Sequence, residues 1–434
     1  MNRYLINDLK KWKNSSYRKP LIIEGARQVG KTWLLKEFGR LEYNNTVYIN
    51  CDHNTILDDL FVDYDTDRII RNLSAISGQP IKPNETLIIF DEIQEFPQAL
   101  TSLKYFCENA GDYHIAVAGS LLGLQMHSGT GYPVGKVDIL NLYPLSFMEF
   151  LDALGENMLT DYIRTHKWEE MNALNSRLKE LLRQYYFVGG MPEVVANYVQ
   201  NHDILQVRQL QHNILDSYEK DISKHASAND IQKINMVWHA IPSQLAKENK
   251  KYIYGAIKKG GRAKEFENAI QWLLDAGLVH KINRVKKLEM PIKFYEDFEC
   301  FKLFMNDLGL LGAMADAPAA GILIGDNIFS EYKGSFTEQF VAQQYFTVYN
   351  RNLFYYTNEN STMEIDFVMQ TDKVYPIEVK AEVNLKSKSL STVMNKYPNV
   401  CGLRFSMSGY RRHDRLENVP LALCEEYFKS MKGK

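Results

Sequence analysis

The chain has 434 residues, 45% hydrophobic and 24% charged, with a formal net charge of −2. That length predicts about three domains, the composition excludes wholesale disorder, and the near-neutral total names no polyanionic partner. Five scattered cysteines with no C-x-x-C pair exclude a zinc or disulfide framework and fit a reducing compartment.

The polar, basic start of the chain lacks the apolar stretch of a signal peptide, and no apolar run is long enough to span a membrane. A cytoplasmic protein with no membrane partner is therefore expected. The charge is uneven: residues 42–108 hold 12 acidic and 4 basic side chains, and residues 247–293 hold 12 basic and 5 acidic ones. Such asymmetry suggests nucleic acid, or simply two solvated faces of opposite sign.

In chain order, residues 1–20 predict a basic amphipathic helix. Leu21, Ile22 and Ile23 then read as a buried strand, followed by Gly25-Ala26-Arg27-Gln28-Val29-Gly30-Lys31-Thr32. This fits G-x-x-x-x-G-K-[ST] at every fixed position, with a helix after it. Gly25 and Gly30 let the backbone curl so that N–H groups face an anion, with Ala26, Arg27, Gln28 and Val29 completing the loop. Lys31 is placed to reach the β- and γ-phosphates of ATP, and the Thr32 hydroxyl to ligate Mg²⁺.

Residues 46–50 predict a second strand, and a polar, aspartate-rich helical stretch runs to about residue 73. The apolar run Leu87-Ile88-Ile89-Phe90 ends in Asp91-Glu92. A carboxylate at such a strand end beside a phosphate loop holds the Mg²⁺ shell, and its neighbour orients or deprotonates the attacking water. A helix over 99–109 leads to a strand at 114–120. Ser120, which ends it, is placed to contact the γ-phosphate or the water, unless it is an ordinary strand-terminal serine. Strands alternating with helices mean a parallel α/β sheet, with ligands beyond its carboxyl ends.

The phosphate loop, Phe-Asp-Glu-Ile-Gln (90–94), Ala-Gly-Ser (118–120) and Leu-Tyr-Pro-Leu-Ser-Phe-Met-Glu-Phe (142–150) together resemble a prokaryotic branch of the AAA-type ATPases. The resemblance continues in Phe-Val-Gly-Gly-Met-Pro-Glu (187–193), Asn-Asp-Leu-Gly-Leu (306–310) and Pro-Ile-Glu-Val-Lys (376–380). It implies Walker A, Walker B and sensor roles for Lys31, Thr32, Asp91, Glu92 and Ser120, and a homo-oligomer of unspecified stoichiometry. Members often carry arginine where this chain has Lys136, and lysine lacks the guanidinium fork. Arg164, Arg183 and Arg208 are the alternatives for an arginine finger. Ala26 stands where proline is frequent in the family.

Residues 151–231 read as long helices, including 172–186 and 204–222, broken at Gly189-Gly190 by a hinge or a turn. Over 231–295 the pattern predicts a helix interrupted near Pro242, a second helix at 252–257 and a third at 263–276 with Gly277 as its cap. Residues 278–282 and 292–295 then bracket a hairpin. Three short helices and a basic hairpin suit a winged-helix module. Its Lys258, Lys259, Arg262, Lys264, Arg284, Lys286 and Lys287 could neutralise DNA phosphates, or the module could serve domain docking alone.

Residues 363–370 and 374–381 predict a second hairpin. If Gln370 pairs with Val374, Asp366 lies opposite Glu378, with Lys380 on the same face. Facing carboxylates repel unless a cation lies between them, and both a divalent metal and Lys380 qualify. Asp-x11-Glu-x-Lys on a hairpin is similar to the PD-(D/E)xK restriction-endonuclease-like fold, whose helical acid is matched by Glu338 in a helix at 336–345. That likeness implies a second divalent metal on Glu338, Asp366 and Glu378, with Lys380 assisting. The other reading is an inactive relative in which Lys380 pairs an acid. Pro376 fits an edge strand.

The expectation is an α/β chain with a P-loop AAA-like ATPase core (1–155), a helical lid and linker (156–230), a winged-helix module (231–297) and a restriction-endonuclease-like domain (298–434). It would hydrolyse ATP with Mg²⁺ and act on DNA, cutting it through the C-terminal acids, or else work as an ATP-gated interaction switch.

Overall fold

The computed structural model describes residues 1–52, 57, 59–125, 131–247, 251–324, 333–349, 352–358, 363–381 and 388–432. The chain forms two compact units, one of residues 2–143 with 275–278, the other of residues 144–274 with 279–434.

The first unit opens with helix α1 (Ile6–Lys13) and then alternates strictly: β1 (Leu21–Glu24), α2 (Lys31–Glu42), β2 (Asn45–Asn50), α3 (Thr66–Ser77), β3 (Thr86–Asp91), α4 (Pro97–Asn109), β4 (His114–Ala118), α5 (Leu122–Gln125) and β5 (Asp138–Asn141). The strands pair in parallel in the order β2-β3-β4-β1-β5. Their unbroken apolar runs follow from this, because a strand covered on both faces has no polar side. Every residue of β3 is buried, as is every residue of β4. Ile23 lies opposite Ala118 and Phe90 opposite Val117, so the residues beyond β1, β3 and β4 gather at one edge of the sheet.

Residues 275–278 are the exception to this continuity. They pack with the first unit although the chain on either side belongs to the second. Gly277 takes φ +70°, and a Cβ there would stand 3.1 Å from the Ala26 nitrogen of the phosphate loop. Only glycine combines that backbone with that approach.

The second unit begins with helices α6 (Phe147–Ala153), α7 (Asn157–Arg164), α8 (Asn175–Val188), α9 (Pro192–Asn201), α10 (Ile204–His225), α11 (Ala228–Leu245) and α12 (Ala263–Asp275). Next come β6 (Val279–Val285), β7 (Glu296–Met305), α13 (Leu308–Met314), α14 (Ala319–Ile324), α15 (Lys333–Val348), β8 (Phe354–Thr357), β9 (Glu364–Gln370) and β10 (Val374–Lys380). The chain closes with α16 (Lys388–Lys396), β11 (Gly402–Ser406), β12 (Arg411–His413), β13 (Leu416–Pro420) and α17 (Cys424–Met431). One eight-stranded mixed sheet runs β12-β13-β11-β10-β9-β8-β6-β7.

That sheet changes the expected organisation. The hairpin assigned to a winged-helix module is β6–β7, and β6 pairs in parallel with β8. The segments expected as two domains therefore share one hydrogen-bonded sheet. The second hairpin strand is β7, after residues 292–295, which form a 3₁₀ turn. The expected helix at 252–257 shrinks to a 3₁₀ turn at Tyr254–Ala256, while α11 runs through Pro242 to Leu245.

The resemblance-bearing segments of this unit meet at a buried polar node. Asp307 accepts the backbone N–H groups of Gly190 (2.6 Å) and Leu310 (2.9 Å). Gln343 of α15 donates to the Tyr185 hydroxyl at 2.9 Å, which in turn donates to the Leu145 carbonyl at 2.6 Å. Burial pushes the Asp307 carboxyl upward in pKa, and its backbone donors oppose that. The node satisfies groups that burial would otherwise leave costly. Its motifs hold the fold, and Gly189-Gly190 is a turn, the second of the two readings, locked by Asp307.

Candidate functional site

The phosphate loop joins β1 to α2. Gly25 has φ +146°, and a Cβ there would lie 2.2 Å from the Leu142 carbonyl oxygen, so the position admits glycine alone. Gln28 and Gly30 also take positive φ, 66° and 93°. Buried Arg3, which sequence reasoning missed, braces the loop by donating to the Val29 carbonyl at 2.9 Å and the Tyr143 carbonyl at 2.6 Å.

Lys31 opens α2, buried, with its ammonium donating to the Gly25 and Ala26 carbonyls, both at 2.8 Å. Burial pushes its pKa down to about 8 against the pull of Glu92 and Asp91. One residue on, the Thr32 hydroxyl donates to Asp91 Oδ2 at 2.7 Å. Tyr48 of β2 donates to the same oxygen at 2.9 Å, and no local signal in the sequence pointed to it. Thr32 and Asp91 are the hard oxygen donors that Mg²⁺ accepts beside a nucleotide phosphate, so the residues fit that ion.

Glu92 leaves β3 with φ +50°. Its Oε2 accepts from Gln94 Nε2 at 2.6 Å, which fixes the carboxylate's direction. Gly119 permits this: a Cβ there would stand 2.5 Å from Gln94 Oε1. Ser120 is buried just beyond β4. The structure thus gathers the phosphate loop, Asp91, Glu92 and Ser120 at the carboxyl edge of one sheet.

Lys136 forms an ion pair with Glu108 at 2.9 Å. Among the arginines weighed in its place, Arg164 pairs with Asp152 and Asp161, and Arg208 donates to Gln211 and the Ala317 carbonyl. Arg183 lies on α8.

The C-terminal acids tell a different story. The β9–β10 register is the expected one, Gln370 opposite Val374 through Phe367 opposite Ile377. The acids on that face are nevertheless each held by the protein. Glu378 is paired by Arg404 (3.0 Å) and Lys380 (3.2 Å), and Asp366 accepts the Val379 N–H at 2.7 Å. Buried Lys302 of β7 donates to Glu364 at 2.5 Å and lies 3.9 Å from Glu338. Despite complete burial the lysine's pKa is raised by Glu364, Glu338 and Asp366. Among the described residues no group of three His, Cys, Asp or Glu side chains could hold a metal, so the expected trio Glu338, Asp366 and Glu378 does not fit one. Lys302 and Arg404 supply the positive charge instead. Pro376 is also no edge residue, since β10 lies between β9 and β11; pairing to β11 begins only at Ile377.

The basic segment divides likewise. Arg284 pairs with Asp297, and Lys258 pairs with Glu265 at 2.5 Å. Lys286 and Lys287 stay exposed.

In the first unit this fold and this edge are those of a P-loop nucleotide-binding domain of the AAA type. Residues 17–151 match a family model described as an AAA domain. Residues 179–320 and 333–424 match two domains of unknown function, DUF8612 and DUF4143. No curated protein matches the chain. Among solved structures, the Walker-type ATPase PABY2304 of Pyrococcus abyssi is similar at 12% identity and TM-score 0.44, over 71% of this chain and 94% of that one. The Aeropyrum pernix ORC1 protein in complex with DNA matches at 13% identity and TM-score 0.27, over 74% and 92% of the two chains. Cdc6p from Pyrobaculum aerophilum matches at 14% identity and TM-score 0.24, over 73% and 91%. No helix among the described residues is long and apolar enough to cross a membrane.

Proposed function

We propose that the chain hydrolyses ATP at Gly25–Thr32 and uses the cycle to change its engagement with DNA. The observation that carries the first half is the Lys31–Thr32–Asp91–Glu92 arrangement. Lys31 exchanges the Gly25 and Ala26 carbonyls for the β- and γ-phosphates, and that exchange repays the burial of its charge. Thr32 and Asp91 would hold Mg²⁺, which when bound neutralises phosphate charge. Glu92, aimed by Gln94, accepts the proton of the attacking water, and Ser120 contacts the γ-phosphate or that water.

Lys31→Ala should abolish nucleotide binding and turnover. Glu92→Gln should keep binding and slow hydrolysis by about 10²-fold or more. Turnover at the parental rate in Lys31→Ala would remove the phosphate loop from the mechanism.

For the C-terminal sheet we infer a binding role rather than cutting, because Lys302 and Arg404 neutralise the acids that a nuclease would offer to metal. The competing assignment, metal on Glu338, Asp366 and Glu378 with Lys380 assisting, is tested by plasmid incubation with Mg²⁺ or Mn²⁺, with and without ATP, beside Asp366→Ala. No cleavage is expected; cleavage lost in the variant would restore the nuclease.

A further inference from the structure

Within the second unit, a cleft of about 1360 Å³ opens where four connections meet. The β6–β7 connection brings Lys286 and Lys287, the β9–β10 turn brings Lys373, the end of α16 brings Lys396, and Arg415 enters just before β13. Against these five cations the lining offers two acids, Glu289 and Asp372. Both acids are engaged with phenols, Glu289 accepting from Tyr295 and Asp372 from Tyr375, each at 3.0 Å. The four lysines are all exposed, and among the described residues none has a carboxylate within ion-pair distance. Arg415 is anchored through the Pro398, Val400 and Met394 carbonyls, and its Nε lies 3.9 Å from the exposed Asp414 carboxylate.

Two aromatic side chains stand on the same hairpin. Phe294 is 82% exposed and Phe298 70%, and no other phenylalanine is exposed among the described residues. The Lys286 N–H donates to the Tyr295 carbonyl at 2.9 Å, which ties the stretch bearing Phe294 to the lysine pair. Phe294 and Phe298 follow the lysine pair closely in sequence, and two largely exposed phenyl rings on one hairpin are available to a partner's aromatic faces.

We propose that this cleft binds single-stranded nucleic acid, its cations tracking the phosphates while Phe294 and Phe298 stack on unpaired bases. A continuous chain of phosphates explains a cation row contributed by four separate segments, and exposed base faces explain the phenyl rings. A duplex satisfies the cations but hides its bases. The volume also exceeds that of an enclosed small-molecule pocket. The proposal rests on the DNA reading above and sharpens it to the single-stranded form.

The test is fluorescence anisotropy of full-length protein with labelled twenty-nucleotide oligo(dT), oligo(rU) and a mixed-sequence duplex, at 50 and 200 mM salt. The single strands should bind, steeply weakened by salt. Lys286→Glu/Lys287→Glu/Lys373→Glu should lose binding to all three. Phe294→Ala/Phe298→Ala should lose about tenfold for the single strands and keep duplex binding. Far-UV circular dichroism and thermal unfolding of both full-length variants serve as the folding control. Preference for oligo(dT) or oligo(rU) assigns the source of the strand. Duplex binding without single-strand binding, or single-strand binding untouched by both variants, overturns the proposal while leaving the DNA reading standing. No binding to any probe at 50 mM salt overturns both.

Discussion

His114 shows how a single buried ring sets a pH limit on the ATPase unit. It lies at the start of β4, buried, with Nδ1 2.7 Å from the Tyr43 hydroxyl and Nε2 3.2 Å from Asn84 Oδ1. The neutral ring satisfies both partners, accepting from Tyr43 and donating to Asn84. Burial, then the nearby Arg18 and Lys13, push its pKa down from 6.5 to about 4. The unfolded chain takes up the proton near 6.5 and the folded one refuses it until about 4. His114 therefore contributes stability above pH 6.5 that is lost as pH falls toward 4, up to about 3 kcal/mol. Urea unfolding from pH 7 to 4.5 should show that loss, and His114→Gln should flatten it; an unchanged slope would remove His114 from the account.

The residue scale also marks where sequence reading stopped. Gly25 to Thr32 is contiguous, so its pattern was legible without a fold. Arg3, Tyr48, Lys302 and Arg404 reach their partners across the chain, and Tyr48 in β2 looks like any strand tyrosine. Lys302 was hidden for a further reason. A lysine in an apolar strand gives no sign that it will meet Glu338 and Glu364 rather than water.

At the scale of elements, local chemistry and tertiary burial each prevailed in different places. Ser146 and Glu149, within the 142–150 motif, form a capping box on α6: the Ser146 hydroxyl accepts the Glu149 N–H at 3.2 Å and Glu149 accepts the Ser146 N–H at 3.0 Å. The pair accounts for part of that motif by capping alone. Ser146→Ala should cost about 1–2 kcal/mol in chemical denaturation with ATP turnover per folded molecule unchanged, and a cost near zero would show that the cap is redundant.

In α11 burial won instead. Pro242 costs a helix interior about 3 kcal/mol, yet the helix buries Ile234, Val237, Trp238, Ile241, Gln244 and Leu245. At roughly 1.5–3 kcal/mol for each large apolar side chain, that stripe outweighs the proline. The period of the stripe was readable; its strength relative to the proline was not. The misplaced hairpin strand has a similar origin, since Ile292-Lys293-Phe294-Tyr295 is strand-like in composition but folds as a turn with Phe294 in solvent.

For the whole molecule, the parallel sheet of the first unit was legible because each strand is an apolar run followed by its own helix. The eight-stranded sheet was not, because β6 finds its neighbour β8 about seventy residues further on, and pairing at that distance leaves no mark on either strand. Domain borders guessed from helix content and charge therefore fell inside one sheet. The observed division predicts fragment behaviour. Residues 1–278 should contain a complete ATPase unit, whereas residues 1–143 lack the 275–278 segment whose Gly277 turn lies against the phosphate loop. The shorter fragment should bind Mg-ATP more weakly and melt lower by thermal shift; equal affinity and melting would make the returning segment dispensable.

That returning segment also imposes an order in time. Residue 278 leaves the ribosome 135 residues after residue 143, a delay on the order of ten seconds at ordinary rates of synthesis. Throughout that interval all five strands of the ATPase sheet already exist, yet the phosphate loop still lacks one of its walls. Nucleotide meeting the nascent chain would encounter an unfinished site, and full affinity would arrive only once seven helices of the second unit had been made.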